Sequence, residues 1–432
     1  MNTSSIRLLA TAFCVAAVSA AAFADTVMTE PVALSGVSYY QSRDTQKVHV
    51  SYTLSNQDDE PAYVVMDVLT NGVTIGLDKI KTFGDSATVS QLDGAPVAVG
   101  THEIVWDARK DWRGNLSTNA QVQLTAFYTN RFDIYMVVDL SGGPTATHYP
   151  VTYTTVEPDP DSDYSCISNK LWLKRISAGT FMMGSPSSEI GRLSNENQHE
   201  VTLTKPFFAG VFPVTAAQYA LVTGVSRQLP NSNIYPDDRS VAYLTPSIGA
   251  TWIEIRGEDS LQTWPSSNAV SSGSFMGLLR AKTGIGGFDL PTEAQWEYAC
   301  RAGTTTAFNN GLDSTVDGSV ATAEEPGLNA YAWYFAISGG VCHRVGQKLP
   351  NNWGLYDFHG CCWEWVLDCL KSDLGTSAVT DPKTGYGQGT NNNRVQRGGA
   401  YNQRSAYCRS AFRSNSAATA GGGFRVWCNL GE

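Results

Sequence analysis

The stretch RVQRGGAYNQRSAYCRSAFR, Arg394 to Arg413, sets one thiol, Cys408, among five arginines and two tyrosines. A cysteine beside cationic side chains gives up its proton more readily and becomes a nucleophile or a soft metal ligand. Arg404, Arg409 and Arg413 are the guanidiniums that would act on Cys408 in this way. The competing reading makes Cys408 half of a disulfide, with Cys300 or Cys428 as the expected partner. Cys342, His343, His359, Cys361 and Cys362 form a second concentration of reactive types, but they lack the paired spacing of a structural zinc motif. Disulfides and turn histidines account for them. The string from Asp357 through Gly360 to Glu364 carries two carboxylates and, taken alone, reads as a turn. No Gly-rich phosphate loop, HExxH string or G-x-S-x-G elbow occurs.

The compartment bears on the thiols. Arg7, the apolar run Leu8 to Ser19 and Ala22-Phe23-Ala24 before Asp25 read as a cleaved export signal over residues 1–24, which places the protein in a periplasmic or extracellular space. Of nine cysteines, Cys14 lies in that signal, and 9 − 1 leaves eight. An even number in an exported chain favours disulfides. The net charge of −10 argues against nucleic acid or an anionic membrane as the main partner, and no later apolar run is long enough for a transmembrane segment.

The elements that must position these residues divide the 432-residue chain in two. In KVHVSYTLSN, Val48, Val50, Tyr52 and Leu54 alternate with His49, Ser51 and Thr53, the period of a half-buried strand. AYVVMDVLTNG, with a hairpin signal at Asn71-Gly72, GTHEIVWDA and AQVQLTAFYT continue the pattern. Residues 25–155 are therefore expected to form an immunoglobulin-like β-sandwich, with His49, His102 and His148 as isolated, solvent-facing side chains. VEPDPDSDY opens a linker over 156–170. Beyond it glycine and tryptophan become frequent, and two helices announce themselves by capping boxes, Thr215 with Gln218 and Thr292 with Gln295. The expected class is α+β.

From 171 to 432 the chain resembles the formylglycine-generating enzyme (sulfatase-modifying factor) family. GTFMMGSP, HEVTLTKPFFAGVFPVTAAQYALVTG, LPTEAQWEYACRAGTTT, NNWGLYDFHGCCWEWVLD, the Arg394–Arg413 stretch and GGGFRVW follow one another in the family's order. The resemblance implies an irregular domain related to C-type lectins. It also implies an oxidase that turns a sulfatase cysteine in a C-x-P-x-R segment into formylglycine, using O₂ and copper(I) held by two cysteine thiolates, a soft pairing. Gly398, Gly399 and Tyr401 match that motif and Cys408 falls on its second cysteine, whereas Gln403 stands at the first and Ala400 at a serine. An amide is a poor ligand for copper(I), so the resemblance carries both a copper-dependent oxidase with Cys408 as catalyst and copper ligand, and an oxidase-deficient relative. It also implies a disulfide-forming role for Cys300, although its partner position is Arg413 here.

The resemblance further implies a calcium loop in LYDFHGCCWE, with carboxylates of Asp357 and Glu364 and carbonyls of Gly360 and Cys362 as ligands. A second family calcium loop is shortened here, leaving Asn329 as its one candidate. Residues Asn391 to Asn393, Tyr401 to Tyr407 and Ser414 to Gly423 combine small polar and aromatic side chains, which suit capture of a protein, peptide or glycan ligand. Two functions follow: a binding domain, or an active copper-dependent oxidase.

Overall fold

In the computed structural model, residues 33–429 are described, less 43, 56–61, 71–72, 76–78, 85–87, 92–95, 113–119, 129–134, 228 and 230–232. The export signal and the Asn71-Gly72 turn lie outside the described residues. The chain forms two compact units: one reaches to Ile134 and takes in Gly284–Gly286, and the other holds Tyr135–Thr283 and the chain from Gly287 onward.

The first unit contains two three-stranded antiparallel sheets. Ala33–Gln41, Val48–Ser55 and Gly100–Trp106 make one, and Val73–Thr74, Ala62–Thr70 and Ala120–Tyr128 the other. The alternation in Val48–Ser55 sends Val50, Tyr52 and Leu54 inward, where they meet Val64, Met66, Val68, Ile104 and Trp106 in one core. His49 stacks on Tyr40 with centroids 4.8 Å apart and lies 3.1 Å from Glu103 Oε1.

The second unit is mixed α+β, with small sheets and short helices. Its largest sheet has six strands in the order Phe288–Asp289, Trp427–Asn429, Phe207–Gly210, Lys170–Ile176, Tyr135–Asp139 and Val151–Thr154. Two of these strands come from the segment expected to end the sandwich. Tyr135–Asp139 pairs antiparallel with Lys170–Ile176, and Tyr135 and Val138 are fully buried. The expected linker is also structured: the Ser165–Ser168 helical turn puts Cys166 and Ile167 into the core. The division therefore falls at 134/135, not at 156–170. A five-residue apolar strand satisfies any sheet with an open edge, and its own pattern does not name the partner.

Both capping boxes form. Thr215 caps Ala216–Thr223, which ends at left-handed Gly224, and Thr292 caps Glu293–Arg301. Where regular structure is sparse, buried ion pairs hold the backbone. Arg397 and Arg301 share Glu297, Arg413 clasps Glu293, Arg409 joins Glu189 to Glu196, Arg425 grips Glu364, and Arg256 pairs with Asp289. Each guanidinium is at most 3 % exposed, so the cost of desolvation is met only by bidentate or multiple contacts. Among the described residues no helix is long and apolar enough to cross a membrane.

Candidate functional site

The Arg394–Arg397 strand lies between Glu364–Cys369 and Ser414–Ser416 and delivers the chain to Gly398 and Gly399. Both glycines have positive φ, 91° and 74°. At Gly399 only hydrogen fits, because a Cβ would stand 2.8 Å from Cys408 Sγ. The turn after it, Ser405–Cys408, folds the thiol inward.

Cys408 is fully buried in an apolar cluster with Ala307, Phe308, Leu328, Ala332 and Tyr334. Burial pushes its thiol up to about 12, and a hydrogen bond from the Ala400 amide offsets only part of that rise. The arginines expected to acidify it turn elsewhere. Arg404 donates to the Gly318 carbonyl at 2.7 Å, Arg409 to Glu189 and Glu196, and Arg413 to Glu293. Their charge is spent on buried carboxylates and carbonyls, so Cys408 is a neutral thiol near pH 7.

The expected disulfide is absent as well: no bridge joins the eight described cysteines, and all eight are buried. Cys300 Sγ lies 3.7 Å from Ser410 Oγ and 4.0 Å from His359 Nε2. Cys428 pairs through its backbone with Phe208 and Phe288. Ser410 and His359 are polar neighbours of the Cys300 sulfur, and Phe308, Leu328 and Tyr334 belong to the Cys408 cluster. Arg413, at the implied partner position of Cys300, bridges to Glu293 at 2.6 and 2.7 Å.

His359, read from the sequence as a turn histidine, is the residue that fixes the Cys408 backbone. Its Nδ1–H donates to the Cys408 carbonyl at 2.6 Å and its Nε2 accepts the Asn309 amide at 3.0 Å. Burial holds it neutral, with its pKa down at about 4. Tyr334 was missed; its hydroxyl accepts the Glu325 amide and donates to Asn329 Oδ1 at 2.5 Å. That bond engages the candidate from the shortened second calcium loop. The sequence signal for these residues was the aromatic and histidine content of loops without a period of their own.

The Asp357–Glu364 loop brings its two carboxylates into electrostatic contact. Asp357 has φ 59° and is buried; its Oδ2 accepts the Gly346 amide at 2.7 Å, while Oδ1 has no hydrogen-bond partner. Burial lifts its pKa to about 6. Glu364 differs, because Arg425 chelates both of its oxygens at 2.6–3.0 Å and Trp296 Nε1 donates to Oε2 at 2.7 Å. A hard cation is therefore matched by Asp357, whose oxygen lacks a partner, while Glu364 is already neutralised. Among the described residues no three His, Cys, Asp or Glu side chains converge as a metal-ligand group.

Residues 173–430 match the family described as the sulfatase-modifying factor enzyme 1-like domain. The chain belongs to this family. It is 25% identical over 268 residues to the formylglycine-generating enzyme of Bos taurus, covering 56% of this chain and 69% of that protein. It is 26% identical over 277 residues to the formylglycine-generating enzyme of Streptomyces coelicolor, covering 56% and 83%. Among solved structures, Treponema denticola variable protein 1 (TM-score 0.47, 23% identity) covers 60% of this chain and 95% of its own length. PvdO from Pseudomonas aeruginosa (TM-score 0.47, 25% identity) covers 60% and 94%. Gln403, which the resemblance sets at the first cysteine of the family motif, is a residue of this sulfatase-modifying factor domain's Ala400–Cys408 turn region. Its amide lies 3.5 Å from Asn402 Oδ1, and its backbone is held by Ala400 and Phe335. One thiol and one amide are a poor donor set for copper(I), which selects soft sulfur ligands.

Proposed function

We propose that residues 173–430 are an oxidase-deficient sulfatase-modifying factor domain that binds a protein, peptide or glycan ligand outside the cytoplasm. The observation that carries this reading is Cys408: its thiol is sealed among Phe308, Leu328 and Tyr334, and Gln403 stands where a second sulfur would be needed. The binding surface is built around the half-buried rings of Tyr407 and Trp363 over the buried ring of Phe412. Tyr407 packs on Phe412 with centroids 4.6 Å apart, Trp363 lies 6.0 Å from Phe412, and the Trp363 carbonyl accepts the Gly423 amide. These contacts join the Tyr401–Tyr407 segment to Ser414–Gly423. Asn393 Nδ2 adds the Asn391–Asn393 segment by donating to Asn415 Oδ1 at 2.9 Å. Rigid aromatic rings beside small amides and hydroxyls are a suitable recognition surface.

The reading includes a calcium ion held by Asp357 with carbonyls of Gly360 and Cys362, while Glu364 stays clasped by Arg425. Such an ion would neutralise a buried carboxylate and pin a loop lacking a ladder of its own. Binding is tested by presenting the full chain to peptide and glycan arrays. Tyr407→Ala and Trp363→Ala should lose captured ligands while melting within a few degrees of the parent. Capture unchanged by both substitutions would contradict the placement of the surface.

A further inference from the structure

The end of the His199–Leu203 strand and three later segments enclose a cavity of about 150 Å³. Val379–Thr380 pairs parallel with that strand, Val201 opposite Val379 and Thr202 opposite Thr380. Asp381 locks the register just beyond the pairing. Its amide donates to the Thr202 carbonyl at 2.9 Å, its Oδ1 accepts the Thr204 amide at 2.9 Å, and its Oδ2 accepts the Thr204 hydroxyl. It does so at a positive φ of 43°, a left-handed conformation that aspartate tolerates better than most residues. The two strands therefore run out side by side, and Lys205 and Lys383 line the same cavity as Asp381. Asn429 adds another wall from the end of the Trp427–Asn429 strand, where it pairs with Phe207. Gln295 of the Glu293–Arg301 helix holds Asn429 in place, its Nε2 donating to Asn429 Oδ1 at 2.8 Å. The Thr292 and Gln295 amides are taken up by the capping box, so the charges offered to a ligand here are those of side chains.

Drug-sized ligands need roughly 300 Å³ or more, so a space of this size takes a smaller molecule. Its lining carries two ammoniums and one carboxylate, and the complementary molecule carries two carboxylates and one ammonium. We propose that this cavity binds a small amino acid with two carboxylate groups, Lys205 and Lys383 each taking one carboxylate and Asp381 taking the ammonium. A carboxylate has about four lone-pair sites, and Thr204 uses two of those on Asp381, which fixes the group and leaves it able to accept from a ligand. Because Gln295 bonds to Asn429 Oδ1, the donor that Asn429 offers the ligand is Nδ2. Leu203 and Pro206 supply the apolar lining for the ligand's methylene groups. Lys205, Asp381 and Lys383 are exposed, so each contact stays partly hydrated and discrimination rests on the pattern of charge more than on its amount. A dicarboxylate without the ammonium sets its charge against Asp381 and gains nothing there. The site shares no residue with the Tyr401–Tyr407 surface and stands whether or not that surface captures a ligand.

The test titrates the full chain by calorimetry with L-glutamate, glutarate and γ-aminobutyrate at low ionic strength. Glutamate should bind saturably. Glutarate lacks the ammonium and γ-aminobutyrate lacks one carboxylate, and each should bind roughly tenfold more weakly. Lys205→Gln and Lys383→Gln should each weaken glutamate by a similar factor, and Asp381→Asn should bring glutamate down to the level of glutarate. Melting within a few degrees of the parent shows that a variant keeps its fold, and the comparison of the three compounds on the parent needs no variant. Absence of saturable glutamate binding, glutarate bound as tightly as glutamate, or unchanged glutamate binding in both lysine variants would each overturn the proposal.

Discussion

At Cys408, five nearby arginines in sequence are outweighed by burial in space. Proximity along the chain suggested an acidified thiol; the fold gives the guanidiniums of Arg404, Arg409 and Arg413 other oxygens and surrounds the sulfur with carbon. Native protein treated with iodoacetamide near pH 8 should therefore leave Cys408 unlabelled, and unfolding should make it react. Burial acts in the same direction on Asp357. Its folded pKa, about 6, is raised above the unfolded value, so its contribution to stability is complete below pH 4 and lost as pH rises through 6. A rise of about two pH units corresponds to about 3 kcal/mol. Without calcium, Asp357→Asn should equal the parent at pH 4 and exceed it in stability at pH 7 by up to that amount. If the ion binds as proposed, adding calcium should raise the parent's melting temperature at pH 7 and leave the Asn variant unmoved. Equal melting of the parent with calcium and with chelator would contradict the site.

At the level of elements, the Glu293–Arg301 helix shows what a local pattern reveals and what it hides. Its capping box was legible, because a cap is written within one helical turn. Hidden in the same helix were Glu293 and Glu297, which reach Arg413 and Arg397, 120 and 100 residues further along the chain. An ion pair between distant loops leaves no spacing to read. Removing Glu297 by Glu297→Ala strands Arg301 and Arg397 in the interior and should cost about 3–5 kcal/mol in urea unfolding. A loss below about 1 kcal/mol, the range of exposed pairs, would show that water replaces the carboxylate and that the network is not what holds these loops. The strands of the first unit were legible for the same reason as the cap: Val50, Tyr52 and Leu54 alternate over adjacent residues. The six-stranded sheet was not, since its strands lie between residues 135 and 429 and pair across the whole unit.

For the whole molecule, the position of the division has a direct consequence. A chain beginning at Tyr135 retains the complete six-stranded sheet, whereas one beginning at Leu171 loses Tyr135–Asp139 and Val151–Thr154 and uncovers an edge of Lys170–Ile176. The first should fold cooperatively; the second should melt well below it or aggregate. The central claim, that this sulfatase-modifying factor domain binds without oxidising, is tested most directly by turnover. The full chain is given copper(I), O₂, a reductant and a C-x-P-x-R peptide, and the peptide is weighed by mass spectrometry. The account predicts an unchanged peptide mass over many hours; conversion of its thiol to an aldehyde, abolished by Cys408→Ser, would contradict it.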